Sequence, residues 1–112
     1  MLFRSTVNGA NNITIFADSV THGAALTTTS GNIQIAPSTL SKSIALNNVA
    51  AAGDLNLGAN LANYVTTNGR VIVGRDGMTG SILLASTGAT TINNLGVEFL
   101  TSGSGQTVLN NN

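Results

Sequence analysis

Apolar and polar residues alternate along the chain in short bursts, each bounded by Gly, Asn or Ser. Ile13-Thr14-Ile15, Ile33-Gln34-Ile35, Ile44-Ala45-Leu46 and Leu55-Asn56-Leu57 carry the pattern through the first half. Val71-Ile72-Val73, Ile82-Leu83-Leu84, Val97-Glu98-Phe99 and Thr107-Val108-Leu109 follow. A period of two turns one side of an extended strand to a core and the other to water, so each burst predicts a short β-strand. Helix signals are poor. Glu, Lys, Arg and Gln, which cover exposed helix faces, are scarce, and Gly, Asn and Thr interrupt every long window. The one helical candidate, Asn48–Ala52, is stopped by Gly53 after little more than one turn. The pattern predicts an all-β chain.

Spacing narrows the architecture. Ile33, Ile44 and Leu55 lie 11 residues apart, Val71 and Ile82 are 11 apart, and Ile82 and Ile92 are 10 apart. Two such steps read as one turn give a coil of about 22 residues, and Asp54, Asp76 and Glu98 recur at that interval. Around Asn60–Asn68 the register slips, because Leu57 and Val71 are 14 apart. Short strands at this spacing belong to a parallel β-solenoid or to an antiparallel β-sandwich. Hairpins ask for tight two-residue turns, and only Asn8-Gly9, Asn68-Gly69 and Asp76-Gly77 have that chemistry. Aromatic residues are 4% of the chain, too few for the large anchors of a sandwich core. Ile, Leu, Val and Ala suit stacked coils, where Asn and Thr at equivalent places form hydrogen-bonded ladders. A single parallel β-solenoid domain over residues 1–112 is the expectation, in about five coils, with the antiparallel sandwich as its alternative.

Composition changes the picture of the surface. Of 112 residues only 7% are charged, against about 25% in an average globular chain, and four basic residues balance four acidic ones. Asn (15), Thr (15), Gly (13) and Ser (10) make up nearly half of the chain, so amides and hydroxyls wet the surface instead of ions. Nucleic-acid binding needs clustered Lys and Arg, which are lacking, and a membrane-surface helix fails for the same reason. No apolar run approaches the roughly 20 residues of a membrane-spanning helix. Without Cys, disulfides and thiol catalysis are excluded. The opening MLFRSTVNGANN has only two apolar residues after Met1, which is no signal-peptide pattern. Export by such a signal is therefore not expected unless the chain is an internal piece of something longer.

Candidate chemistry is thin. His22, the one histidine, has Asp18 four residues upstream as its nearest conceivable partner and reads as a polar loop residue. Arg75-Asp76-Gly77, with Arg70 close in sequence, is the densest charge and reads as a solvated turn with a local ion pair. A polysaccharide-cleaving site would need converging carboxylates, for which Asp54, Asp76 and Glu98 are the candidates if a 22-residue coil stacks them. No tandem of glycine-rich, Asp-bearing nonapeptides is present for calcium, and Gly74, Gly77 and Gly80 have the wrong spacing for a phosphate loop. Thr27-Thr28-Thr29, Thr66-Thr67 and Thr90-Thr91 suggest a flat array of the ice-binding kind. Their separations of 39 and 24 fit no common step, so threonine as an outward strand former is the plainer reading. No catalytic, cofactor-binding or metal-ligating residue is assigned, no cofactor is expected, and the chain is not read as an enzyme.

Asn12-Ile13-Thr14-Ile15 with Ala17-Asp18-Ser19, Leu26 to Ile35, Gly53 to Leu57 and Gly69 to Gly74 together resemble the passenger repeats of filamentous-haemagglutinin-like bacterial exoproteins. The likeness is one of texture over residues 12–109. It implies a right-handed parallel β-helix from a secreted or surface-attached protein, used as an adhesin or fibre. Pro37 and Lys42, residues that blunt open strand edges, lie inside the sequence instead of at its ends. The expected function is thus a structural, adhesive extracellular or bacterial cell-surface fibre element, self-associating by end-to-end strand stacking or met by neighbouring parts of a longer chain. Carbohydrate or ice binding on the same scaffold is the alternative, with a surface glycan as the possible partner.

Overall fold

A computed structural model describes residues 2–3, 7–9, 11–22, 25–46, 55–58, 65–84, 96–105 and 107–108. Thirteen strands are present among them and no helix. They are β1 (Leu2–Phe3), β2 (Val7–Gly9), β3 (Ile13–Phe16), β4 (Thr21–His22), β5 (Leu26–Thr28), β6 (Ile33–Ala36) and β7 (Ile44–Leu46). Next come β8 (Leu55–Asn56), β9 (Val65–Thr67), β10 (Arg70–Arg75), β11 (Ile82–Leu84), β12 (Gly96–Thr101) and β13 (Thr107–Val108). All eight alternating bursts are strands. The helical candidate Asn48–Ala52 lies outside the described residues.

Every strand pairing is parallel, which rules against the antiparallel sandwich for the described residues. The first sheet runs β3-β6-β10-β12, the second β8-β7-β11-β13 and the third β2-β5-β9, with β1 and β4 as a separate pair. Parallel neighbours cannot be joined by a two-residue hairpin. The chain therefore visits one sheet after another and adds a strand to each before returning.

The step between stacked strands is not uniform, and the expected 22-residue coil is corrected here. In the first sheet Ile13 faces Ile33, Ile33 faces Val71 and Val71 faces Val97, steps of 20, 38 and 26 residues. The long step contains residues 47–64, and within them β8 pairs with β7 on the side opposite β11. Only residues 17–20 separate β3 from β4, too few to add a strand to the second sheet, so β8 supplies that sheet's first strand from much later in the chain. Leu55 faces Ile44 directly. Their 11-residue spacing is one full step between stacked strands instead of half a coil. Because the excursion consumes chain, no sheet has more than four strands, against the five levels expected.

One core unites the sheets. The first contributes Ile15, Ile33, Ile35, Val71 and Val73, the second Ile44, Leu46, Leu55 and Ile82, and the third Leu26 and Val65, with Leu57 and Met78 from the turns. Aliphatic side chains of similar size face one another in register, so Ile13, Ile33, Val71 and Val97 form one column and Ile15, Ile35, Val73 and Phe99 the next. At one corner the backbones themselves stack. A Cβ on Gly31 would strike the carbonyl oxygen of Asn11, and one on Gly69 the carbonyl oxygen of Gly31. Glycine is required there by proximity.

Candidate functional site: a groove across the first sheet

The outward positions of the first sheet carry Thr14, Gln34, Ile72 and Glu98 in one cross-strand column. Phe16, the last residue of β3, is 43% exposed, a large apolar ring left on the surface. Beyond it β10 ends in Gly74 and Arg75. Gly74 adopts φ +103°, and the carbonyl oxygen of Leu100 in β12 stands where its Cβ would be. The Arg75 guanidinium lies 4.6 Å from the Phe16 ring centre, an attraction worth about 0.5–1 kcal/mol at a partly open site. Its Nη2 donates to the carbonyl of Ser38 at 3.0 Å, while its buried Nε has no partner. Gln34 is held by donating from Nε2 to the Gly74 carbonyl at 2.9 Å.

These groups border an open groove of about 400 Å³ lined by Phe16, Gln34, Ile72, Arg75, Asp76 and Leu100. Since they come from β3, β6, β10, the turn after it and β12, the groove crosses all four strands of the sheet. Three strand spacings make it about 14 Å long.

Several sequence expectations find their places around it. Arg75 and Asp76 form no ion pair with each other. The ion pair is between Arg70 and Glu98, at 2.7 Å and well exposed, so it contributes about 0–1 kcal/mol. Of the three acids expected to stack, Asp76 lies in the turn after β10 and Glu98 is taken by Arg70, while Asp54 lies outside the described residues. Non-uniform steps are the reason that a 22-residue interval aligns nothing. His22 belongs to strand β4 and pairs in register with Phe3 instead of lying in a loop. The carboxylate of Asp18 accepts from the Thr39 amide at 2.8 Å and the Thr39 hydroxyl at 2.6 Å. Those bonds hold its pKa below the ordinary 3.8. Among the described residues no three His, Asp or Glu side chains gather as a metal would require.

The threonine clusters are corrected as well. Thr27 faces Thr66 and Thr28 faces Thr67, because 39 residues is the step of the third sheet. Thr28 is not outward but buried, and its hydroxyl donates to the Asn11 carbonyl at 2.9 Å. Thr67 repeats the contact one level on, donating to the Gly31 carbonyl at 2.6 Å. Thr90-Thr91 lies outside the described residues. The ladder of amides takes a side chain-to-backbone form, since Asn12 Oδ1 accepts from the Asn32 amide at 2.8 Å and Asn32 Oδ1 from the Arg70 amide at 3.0 Å.

Phe16, Gln34, Ile72 and Leu100 were not candidates from sequence. Phe16 extends the Ile13–Ile15 alternation by one polar-side position, and an aromatic there was the available signal. No protein family, curated protein or solved structure matches the chain.

Proposed function

We propose that the parallel sheets are the faces of a right-handed β-solenoid and that the protein is a structural, adhesive element of an extracellular or bacterial-surface fibre, built by end-to-end strand stacking. The exposure of one terminal level supports this reading above all. In the column of matched aliphatics, Ile33, Ile35, Val71 and Val73 are fully buried, whereas Val97 and Phe99 of β12 are only half-buried. Among the described residues β12 pairs with β10 alone and β3 with β6 alone. The first and second sheets each end on strands of the same two levels, β3 with β8 and β12 with β13. Parallel edges with unpaired amides and carbonyls over an uncovered core recruit further strands. Joining unlike ends of identical copies is a head-to-tail contact that does not close on itself, which generates filaments. The neutral surface adds little self-repulsion. The texture resemblance to filamentous-haemagglutinin-like passengers supports the extracellular setting.

Electron microscopy and sedimentation of the purified chain at micromolar concentration test the reading. Elongated particles are expected, and Phe99→Lys, which places a charge on the open end of the core, should disperse them without loss of β-sheet circular dichroism. Dispersed single copies of the unaltered chain would overturn it.

A further inference from the structure

We infer that the groove across the first sheet is a binding site for a neutral saccharide. It lies on the flank of the sheet, away from the levels that would stack, so it stands apart from the fibre reading. Three features of its lining carry the inference.

The first is its apolar surface. Phe16, Ile72 and Leu100 provide an exposed ring and two aliphatic side chains, a surface for the C–H faces of a sugar. The second is the planar polar groups beside that surface. Asp76 is exposed and forms no ion pair, so its carboxylate oxygens remain acceptors for vicinal hydroxyls. The Gln34 amide, fixed through Nε2 by the Gly74 carbonyl, keeps its oxygen as a further acceptor. The third is charge. The Arg75 guanidinium is already stacked on Phe16 and bonded to the Ser38 carbonyl, and Asp76 follows it in the chain. A ligand anion would face Asp76 and a ligand cation would face Arg75, whereas a polyol without charge is repelled by neither. The strand backbones hold these groups at fixed spacing, which lowers the ordering cost of binding. A shallow, open groove of this kind gives millimolar affinity for one sugar. Repetition along a fibre would raise the apparent affinity for a polymer through effective concentration.

The test is an NMR titration of the full chain carrying Phe99→Lys, which keeps it dispersed whether or not the unaltered chain stacks. The probes are methyl glycosides of glucose, galactose, mannose and N-acetylglucosamine, with glucuronate and glucosamine as charged counterparts, each to about 20 mM, above the millimolar range in question. At least one neutral glycoside should shift the Phe16, Ile72, Leu100 and Gln34 side-chain resonances together. Asp76→Asn should then weaken binding about tenfold, and Phe16→Ala about three- to tenfold, at unchanged melting temperature. Asp76 is in an exposed turn, so its variant remains informative if loss of Phe16 disturbs the Arg75 contact. Absence of any shift, shifts with charged sugars alone, or binding indifferent to Asp76→Asn would each overturn the inference.

Discussion

Asp18 is exposed, yet two donors from Thr39 favour its charged form, with the Lys42 ammonium adding to the effect. A carboxyl group whose pKa is lower folded than unfolded stabilises the fold above its unfolded pKa. That contribution is lost as the pH falls through the folded value. Stability should therefore begin to decline near pH 3.8 and continue downward. In a carbon-detected NMR titration the Asp18 carboxyl should titrate below the ordinary range, and Thr39→Ala should return it toward 3.8. At the same scale, two glycines separate crowding from conformation. Gly58 has φ +76° with nothing near its missing Cβ, whereas Gly31 packs on the Asn11 backbone. Gly31→Ala should cost about 2–3 kcal/mol, since a backbone neighbour cannot step aside. Gly58→Ala should cost about 1 kcal/mol from its dihedral alone, and urea unfolding would rank the two.

At the scale of the strand, the strength of the alternation decided what was legible. β3, β6, β7, β10, β11 and β12 set Ile, Leu, Val or Phe at both inward positions, and the pattern announces them. The strands of the third sheet do not. In β5 the second inward position is Thr28, a polar residue buried because its hydroxyl has the Asn11 carbonyl to bond. A polar inward residue erases the period-two signal, so Leu26–Thr28 and Val65–Thr67 look like runs of surface threonine. The terminal level can also be read energetically. Ile35 is fully buried in the middle of its column and Val97 half-buried at the end of the neighbouring one. Ile35→Ala should cost about 2–5 kcal/mol, but Val97→Ala only about 1 kcal/mol in dispersed protein. Denaturation at two concentrations checks the stacking as well, because the Val97→Ala penalty should grow once a second copy covers that residue.

Across the whole molecule the same economy of charge that keeps the surface neutral leaves few groups to mark a site. Four cations and four anions are spread over the chain. Among the described ones, Arg70 and Glu98 pair with each other, Asp18 holds Thr39, and Arg75 stacks on Phe16. Asp76 is left, and it borders the groove. If copies stack, each added copy extends this groove-bearing face by a further four levels. The melting temperature should then rise with protein concentration, as it does for any fold stabilised by association. Differential scanning calorimetry over a hundredfold dilution measures that slope, and a flat line is the expected behaviour of the Phe99→Lys variant.

The sequence by itself determined the strand-forming bursts, the aliphatic core and the uncharged surface, because alternation and composition act locally on every residue. It also contained, unrecognised, a 38-residue step: Gly31 and Gly69, Ile33 and Val71, Ser43 and Ser81, and Ile44 and Ile82 are spaced by that interval. Only the tertiary structure decided how the strands line up. Corner lengths differ, and residues 47–64 return a strand to an earlier level, so register follows from which backbones can pair and not from any single interval. The groove belongs to that second class. Its six side chains come from separated strands and a turn, and only the pairing of β3, β6, β10 and β12 brings them to one face.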